Sequence, residues 1–78
     1  MEIKVLEVGC SSCKVLLERT KQASRELGIK DEVIDVNDVS EMMKYGVMSM
    51  PALIINGAVK CAGRVPKLED IKEWLQGG

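Results

Sequence analysis

The chain has 78 residues, 46% hydrophobic and 29% charged, which places it among globular proteins and outside the disordered range. A chain of this size buries only about 60–65% of its unfolded surface, so its core is small. Eleven basic residues stand against twelve acidic ones, and Tyr45 and Trp74 are the two aromatics, which excludes a basic, aromatic-interleaved nucleic-acid surface.

Three cysteines do not supply the even-numbered disulfide framework that small secreted domains use. The opening MEIKVLEVG carries Glu2, Lys4 and Glu7, so it has no apolar signal-peptide centre. No run reaches the ~18 apolar residues of a membrane span. The expectation is a single domain over residues 1–78, monomeric and cytoplasmic, without nucleic-acid or membrane partners. In that compartment a close cysteine pair is more often catalytic or metal-binding than structural.

Residues 2–8 read as a buried strand, with Ile3, Val5, Leu6 and Val8 in a β-branched run ended by Gly9. From Cys13 the period changes. Cys13, Leu16, Leu17, Thr20, Ala23, Ser24 and Leu27 fall on one helical stripe, and Gly28 follows as a C′ residue. Residues 30–36 read as a second strand. NDVSEMMKYG then suggests a two-turn helix with Asp38 and Glu41 as a capping box and Gly46 as the stop. PALIINGAVKCAG reads as a hairpin turning at Asn56-Gly57, with Val59 and Cys61 sharing a face of its second strand. Pro66 marks the entry to a last helix whose buried side holds Leu68, Ile71, Trp74 and Leu75, ended by Gly77 and Gly78. The order is βαβαββα, with no repeat or linker.

Cys10 and Cys13 carry the chemistry. A strand passing through Gly9 into a helix puts Cys10 near the helix start, where unpaired N–H groups and the helix dipole favour thiolate over thiol. Lys14 adds a nearby positive charge. Three helical residues bring two Cα atoms to roughly 5 Å, within the range a disulfide accepts. An exposed Cys10 would attack a substrate disulfide, and Cys13, one turn deeper, would resolve the mixed disulfide. The alternative is that both are small apolar residues packing a helix start.

VGCSSC at a strand-to-helix junction, SMPALIINGAVKCAG and GRVPKLEDIKEWL together resemble the thioredoxin-fold proteins of the small archaeal and anaerobic-bacterial kind, thioredoxin- or glutaredoxin-like. The resemblance implies an α/β, minimal thioredoxin fold. Its four-stranded mixed sheet is flanked by three helices, the Cys10 helix and the C-terminal helix on one face and the short helix on the other. It implies a thiol–disulfide oxidoreductase without cofactor, acting on protein disulfides and recharged by a reductase that the sequence does not identify. Cys10 would be the nucleophile and Cys13 the resolving thiol. Pro51 would be cis and face the disulfide, Met50 would offer its backbone to an extended substrate, and Gly63 would stand near the active site.

The chain departs from the family pattern at several positions. Ser11-Ser12 replaces the Gly-Pro or Pro-Tyr between the cysteines, and Gly9 replaces a tryptophan. Glu7 is nearest to the family's buried aspartate and is expected to be a solvated strand-end carboxylate instead. Ala62-Gly63-Arg64 offers only part of a glutathione-contact pattern.

Metal binding is the rival reading of the same pair. Two thiolates suit Cu(I), and copper-chaperone-like domains place Cys-X-X-Cys after a first strand. Those domains end in a strand and carry methionine where Val8 stands. Zinc wants four ligands, and this chain offers three cysteines and no histidine. A redox sensor built on the pair is a further alternative. Cys61 reads as a buried small residue, and Met42, Met43, Met48 and Met50 as core fillers or an adaptable peptide surface.

Overall fold

Strand β1 (Ile3–Leu6) is the centre of the molecule, and its alternation divides the core in two. Ile3 and Val5 point to one face of the sheet, Lys4 and Leu6 to the other, as the two-residue period of a strand requires. The computed structural model describes residues 1–77. After β1 come α1 (Ser11–Glu26), β2 (Val33–Val36), α2 (Val39–Lys44), β3 (Ala52–Ile55), β4 (Ala58–Ala62) and α3 (Leu68–Leu75). The expected order βαβαββα is observed. The sheet runs β2-β1-β3-β4, with β1 and β2 parallel and the other neighbours antiparallel, so it is mixed as expected.

Helices α1 and α3 cover the first face. Leu16 and Ala23 from α1 and Ile71 and Leu75 from α3 close over Ile3, Val5, Leu53, Ile55 and Cys61. Arg19 Nη1 donates to the Pro66 carbonyl at 3.0 Å, and Lys72 pairs with Glu26, so polar contacts tie α1 to the entry of α3 and to α3 itself. On the second face Met42 packs with Leu6, Ala52 and Ile54, flanked by Val36, Tyr45, Val47 and Met50. Both α1 and α2 end in Schellman motifs. Gly28 and Ile29 N–H groups bond the Arg25 and Ser24 carbonyls, and those of Gly46 and Val47 bond the Met43 and Met42 carbonyls.

Several expectations are corrected. The first two strands are shorter than residues 2–8 and 30–36. Ile3 lies opposite Val33, so residues 30–32 have no strand beside them; Leu6 lies opposite the last residue of β2 and the first of β3. Asp38 does cap α2, accepting from the Ser40 N–H at 2.9 Å, but Glu41 does not complete a capping box: its carboxylate is taken by Lys4 at 3.0 Å. Pro66 does stand at the entry to α3, just before its N-cap Lys67. Val59 and Cys61 do not share a face. A bulge between the Leu53–Cys61 and Ile54–Val59 pairs inserts Lys60, which leaves Val59 exposed while Cys61 is buried with α3.

Candidate active site

Strand register gathers the predicted site residues at one end of the sheet. Leu6 is opposite Val36 and Ala52, and Ala52 is opposite Ala62. The chain therefore leaves the sheet at that end toward Cys10, enters it there through Met50 and Pro51, and leaves it again at Gly63. This is the carboxyl end of the parallel pair, where open α/β sheets place their crevices.

Gly9, with φ +84°, turns the chain out of β1, a conformation that a side chain would strain. Cys10 is the N-cap of α1: its Sγ accepts the Cys13 N–H at 3.2 Å and its carbonyl accepts the Lys14 N–H at 3.2 Å. No acidic residue lies in the first turn, so nothing on the helix opposes the dipole there. Cys10 is partly exposed, whereas Cys13 is fully buried on the apolar stripe. The two form a disulfide with Cα atoms 5.1 Å apart, matching the separation expected from helical geometry.

Met50–Pro51 is a cis peptide, and Pro51 is fully buried. The Pro51 carbonyl accepts the Gly63 N–H at 2.8 Å, which brings these two predicted residues together. Gly63 has φ +79°, and a Cβ built on it would stand 2.8 Å from Ser49 Cβ, so glycine is required by conformation and by close approach alike. Among the described residues, no backbone–backbone hydrogen bond outside the helices and strands engages Met50. Met50 is partly buried against the second-face cluster, while Met48 is 97% exposed.

Glu7 corrects the expectation of a solvated carboxylate: it is 8% exposed. Its N–H bonds the Val36 carbonyl at 3.0 Å, which holds the chain beside β2 for one residue beyond Leu6. Cys61 lies apart from the site, in the core under α3, and burial pushes its thiol up. Of the methionines from Met42 to Met50, Met42 is core and Met43 is exposed, so both readings apply to different members. The sequence reading missed Ser49, and it missed the grip of Lys4 on Glu41 and Tyr45. A lysine in the middle of a buried apolar strand was the available signal. Among the described residues, no group of three or more His, Cys, Asp or Glu side chains assembles as for a metal ion. No described helix is long and apolar enough to cross a membrane.

Two sulfurs bonded across the first turn of a helix, the outer one capping it, are arranged for thiol–disulfide exchange. That arrangement, on this fold, defines a thiol–disulfide oxidoreductase. Comparison with known proteins agrees. A family model described as a thioredoxin domain matches residues 1–76. A thioredoxin of Methanothermobacter thermautotrophicus is 32% identical over 75 residues, covering 96% of this chain and 97% of that one. A thioredoxin of Methanocaldococcus jannaschii is 34% identical over 74 residues, covering 95% and 85%. A probable thioredoxin of M. thermautotrophicus is 36% identical over 69 residues, covering 85% and 80%. The chain belongs to the thioredoxin family.

Proposed function

We propose that the protein exchanges electrons with protein disulfides through the Cys10–Cys13 couple, with Cys10 as nucleophile and Cys13 as resolving thiol. In the reducing direction the Cys10 thiolate attacks one sulfur of the substrate disulfide and expels the other as a thiolate. Cys13 then attacks Cys10 Sγ and releases the second substrate sulfur. The substrate gains two electrons and two protons, and the protein is left with the Cys10–Cys13 disulfide. A reductase supplies the electrons for the next turn. In this role the protein works as a monomer in the cytoplasm.

The capping position of Cys10 carries this reading. Its sulfur is the partly exposed one and already accepts a helix N–H, so negative charge on it is favoured once the bond is reduced. Cys13, fully buried, is out of reach of a folded partner but adjacent to Cys10. The backbone of Met50 serves an extended substrate segment, with Pro51 and Gly63 holding it in place. Cys10→Ser should abolish insulin-disulfide reduction, and Cys13→Ser should accumulate mixed disulfides visible on non-reducing gels. Wild-type turnover in both variants would overturn the reading.

A further inference from the structure

The second face of the sheet is held by an unusual device. Helix α2 has six residues, and Met42 is the buried one; Val39 is 68% exposed and Met43 76%. Lys4 rises from β1 on this face, with its side chain 13% exposed. Its Nζ donates to Glu41 Oε1 at 3.0 Å and to the Tyr45 hydroxyl at 3.2 Å, and it lies 5.4 Å from the Tyr45 ring centroid. Lys44 approaches Glu41 Oε2 at 3.8 Å and the same ring at 5.7 Å. Hydrogen bonds to Glu41 first and Tyr45 second raise the Lys4 ammonium above its ordinary range, so it stays charged wherever the protein is folded near neutrality.

Glu41 is in the first turn of α2 and Tyr45 is its C-cap, so one lysine grips both ends of the helix. Tyr45 leads through Gly46 to Val47, Met48, Ser49 and the cis Met50–Pro51 bond. Tyr45, Val47 and Met50 all rest against the cluster of Leu6, Met42, Ala52 and Ile54. We infer that Lys4, Glu41 and Tyr45 form a positioning clamp that sets where the Met50 backbone stands for an incoming polypeptide disulfide. This rests on the reading of Met50 as a docking strand.

The clamp acts on docking and leaves the thiol chemistry alone. Cys10 is activated by the N-terminus of α1, on the opposite face of the sheet. Loosening α2 therefore weakens recognition of an extended chain but leaves attack on a small disulfide unchanged. Because the Lys4–Glu41 bond is lost when either residue is replaced, the effects of the two substitutions overlap instead of adding.

The test compares insulin with the small aromatic disulfide 5,5′-dithiobis(2-nitrobenzoate). Lys4→Gln and Glu41→Gln should each raise the KM for insulin about fivefold, corresponding to about 1 kcal/mol of docking energy. The kcat should hold, and so should the rate with the small disulfide. The double variant should be no worse than either single one, and Lys4→Arg should retain the wild-type KM. Glu41, partly exposed, is replaced without disturbing the sheet. An unchanged insulin KM, or an equal loss with both substrates, would overturn the clamp while leaving the redox reading intact. Wild-type insulin reduction no faster than that of Cys10→Ser would overturn both.

Discussion

Gly63 and Cys61 stand two residues apart at the end of β4, and single atoms decide both. Gly63 must hold a positive φ and leave room for Ser49, so an alanine there meets conformational strain and a 2.8 Å clash together. Gly63→Ala should cost about 1–3 kcal/mol, read as a lower urea midpoint. It should also slow insulin reduction, because relieving the clash moves the Gly63 N–H away from the Pro51 carbonyl it bonds. Cys61 acts through a proton. Burial raises its thiol, so the folded state keeps that proton better than the unfolded chain does. Its stabilising contribution is whole below the unfolded value near ~8.5 and is lost as pH rises above it. The oxidised protein, in which Cys10 and Cys13 do not titrate, should lose stability above about that pH. Cys61→Ala should remove that slope; an unchanged alkaline limb would show that the thiol is not its source.

The pairing of α1 with α3 shows how elements are joined. Ile71, on the inner side of α3, is fully buried, and Ile71→Ala should cost about 2–5 kcal/mol of unfolding free energy. The Glu26–Lys72 ion pair behaves differently because it lies at the surface. Lys72 first and Gln22 second hold the Glu26 carboxyl below its ordinary range. The unfolded chain thus binds that proton more tightly, so the pair's contribution is present above about pH 4.3 and fades as pH falls through the lower folded value. Lys72→Ala should lower Tm slightly at pH 7, and the gap to wild type should close in acid. The elements themselves were largely legible in the sequence, since the α1 stripe, the Gly28 and Gly46 stops and the Asn56-Gly57 turn are local signals. What was not legible depended on partners distant in sequence. Glu41 looked like half of a capping box until Lys4, 37 residues away, claimed it. Cys61 looked level with Val59 until pairing with β3 forced a bulge between them. In the candidate site the thiol pair announced itself by spacing, and the cis-proline and Gly63 by resemblance. The burial of Glu7, at a strand end that looks solvated, left no local signal in the sequence.

At the scale of the whole molecule the sheet is covered unequally, and this asymmetry predicts where it opens. Among the described residues the first face gathers nine buried core residues, those of α1 and α3 included; the second gathers four, with Met42 of a six-residue helix among them. Few buried apolar contacts mean a low cost of local opening. The amides of Tyr45, Gly46 and Val47, which close the end of α2, should therefore exchange by local opening that denaturant hardly changes. Those of Val5, Leu53 and the Leu16–Ala23 part of α1 should exchange only with global unfolding. Lys4→Gln should speed the first group and leave the second at a rate set by total stability. Equal protection of both groups would mean that α2 is locked to the sheet as firmly as α1. The first outcome has a functional sense, since α2 runs directly into Met48–Pro51. Under the proposed docking role of Met50, the segment that meets the substrate would hang on the softer face and the disulfide on the harder one.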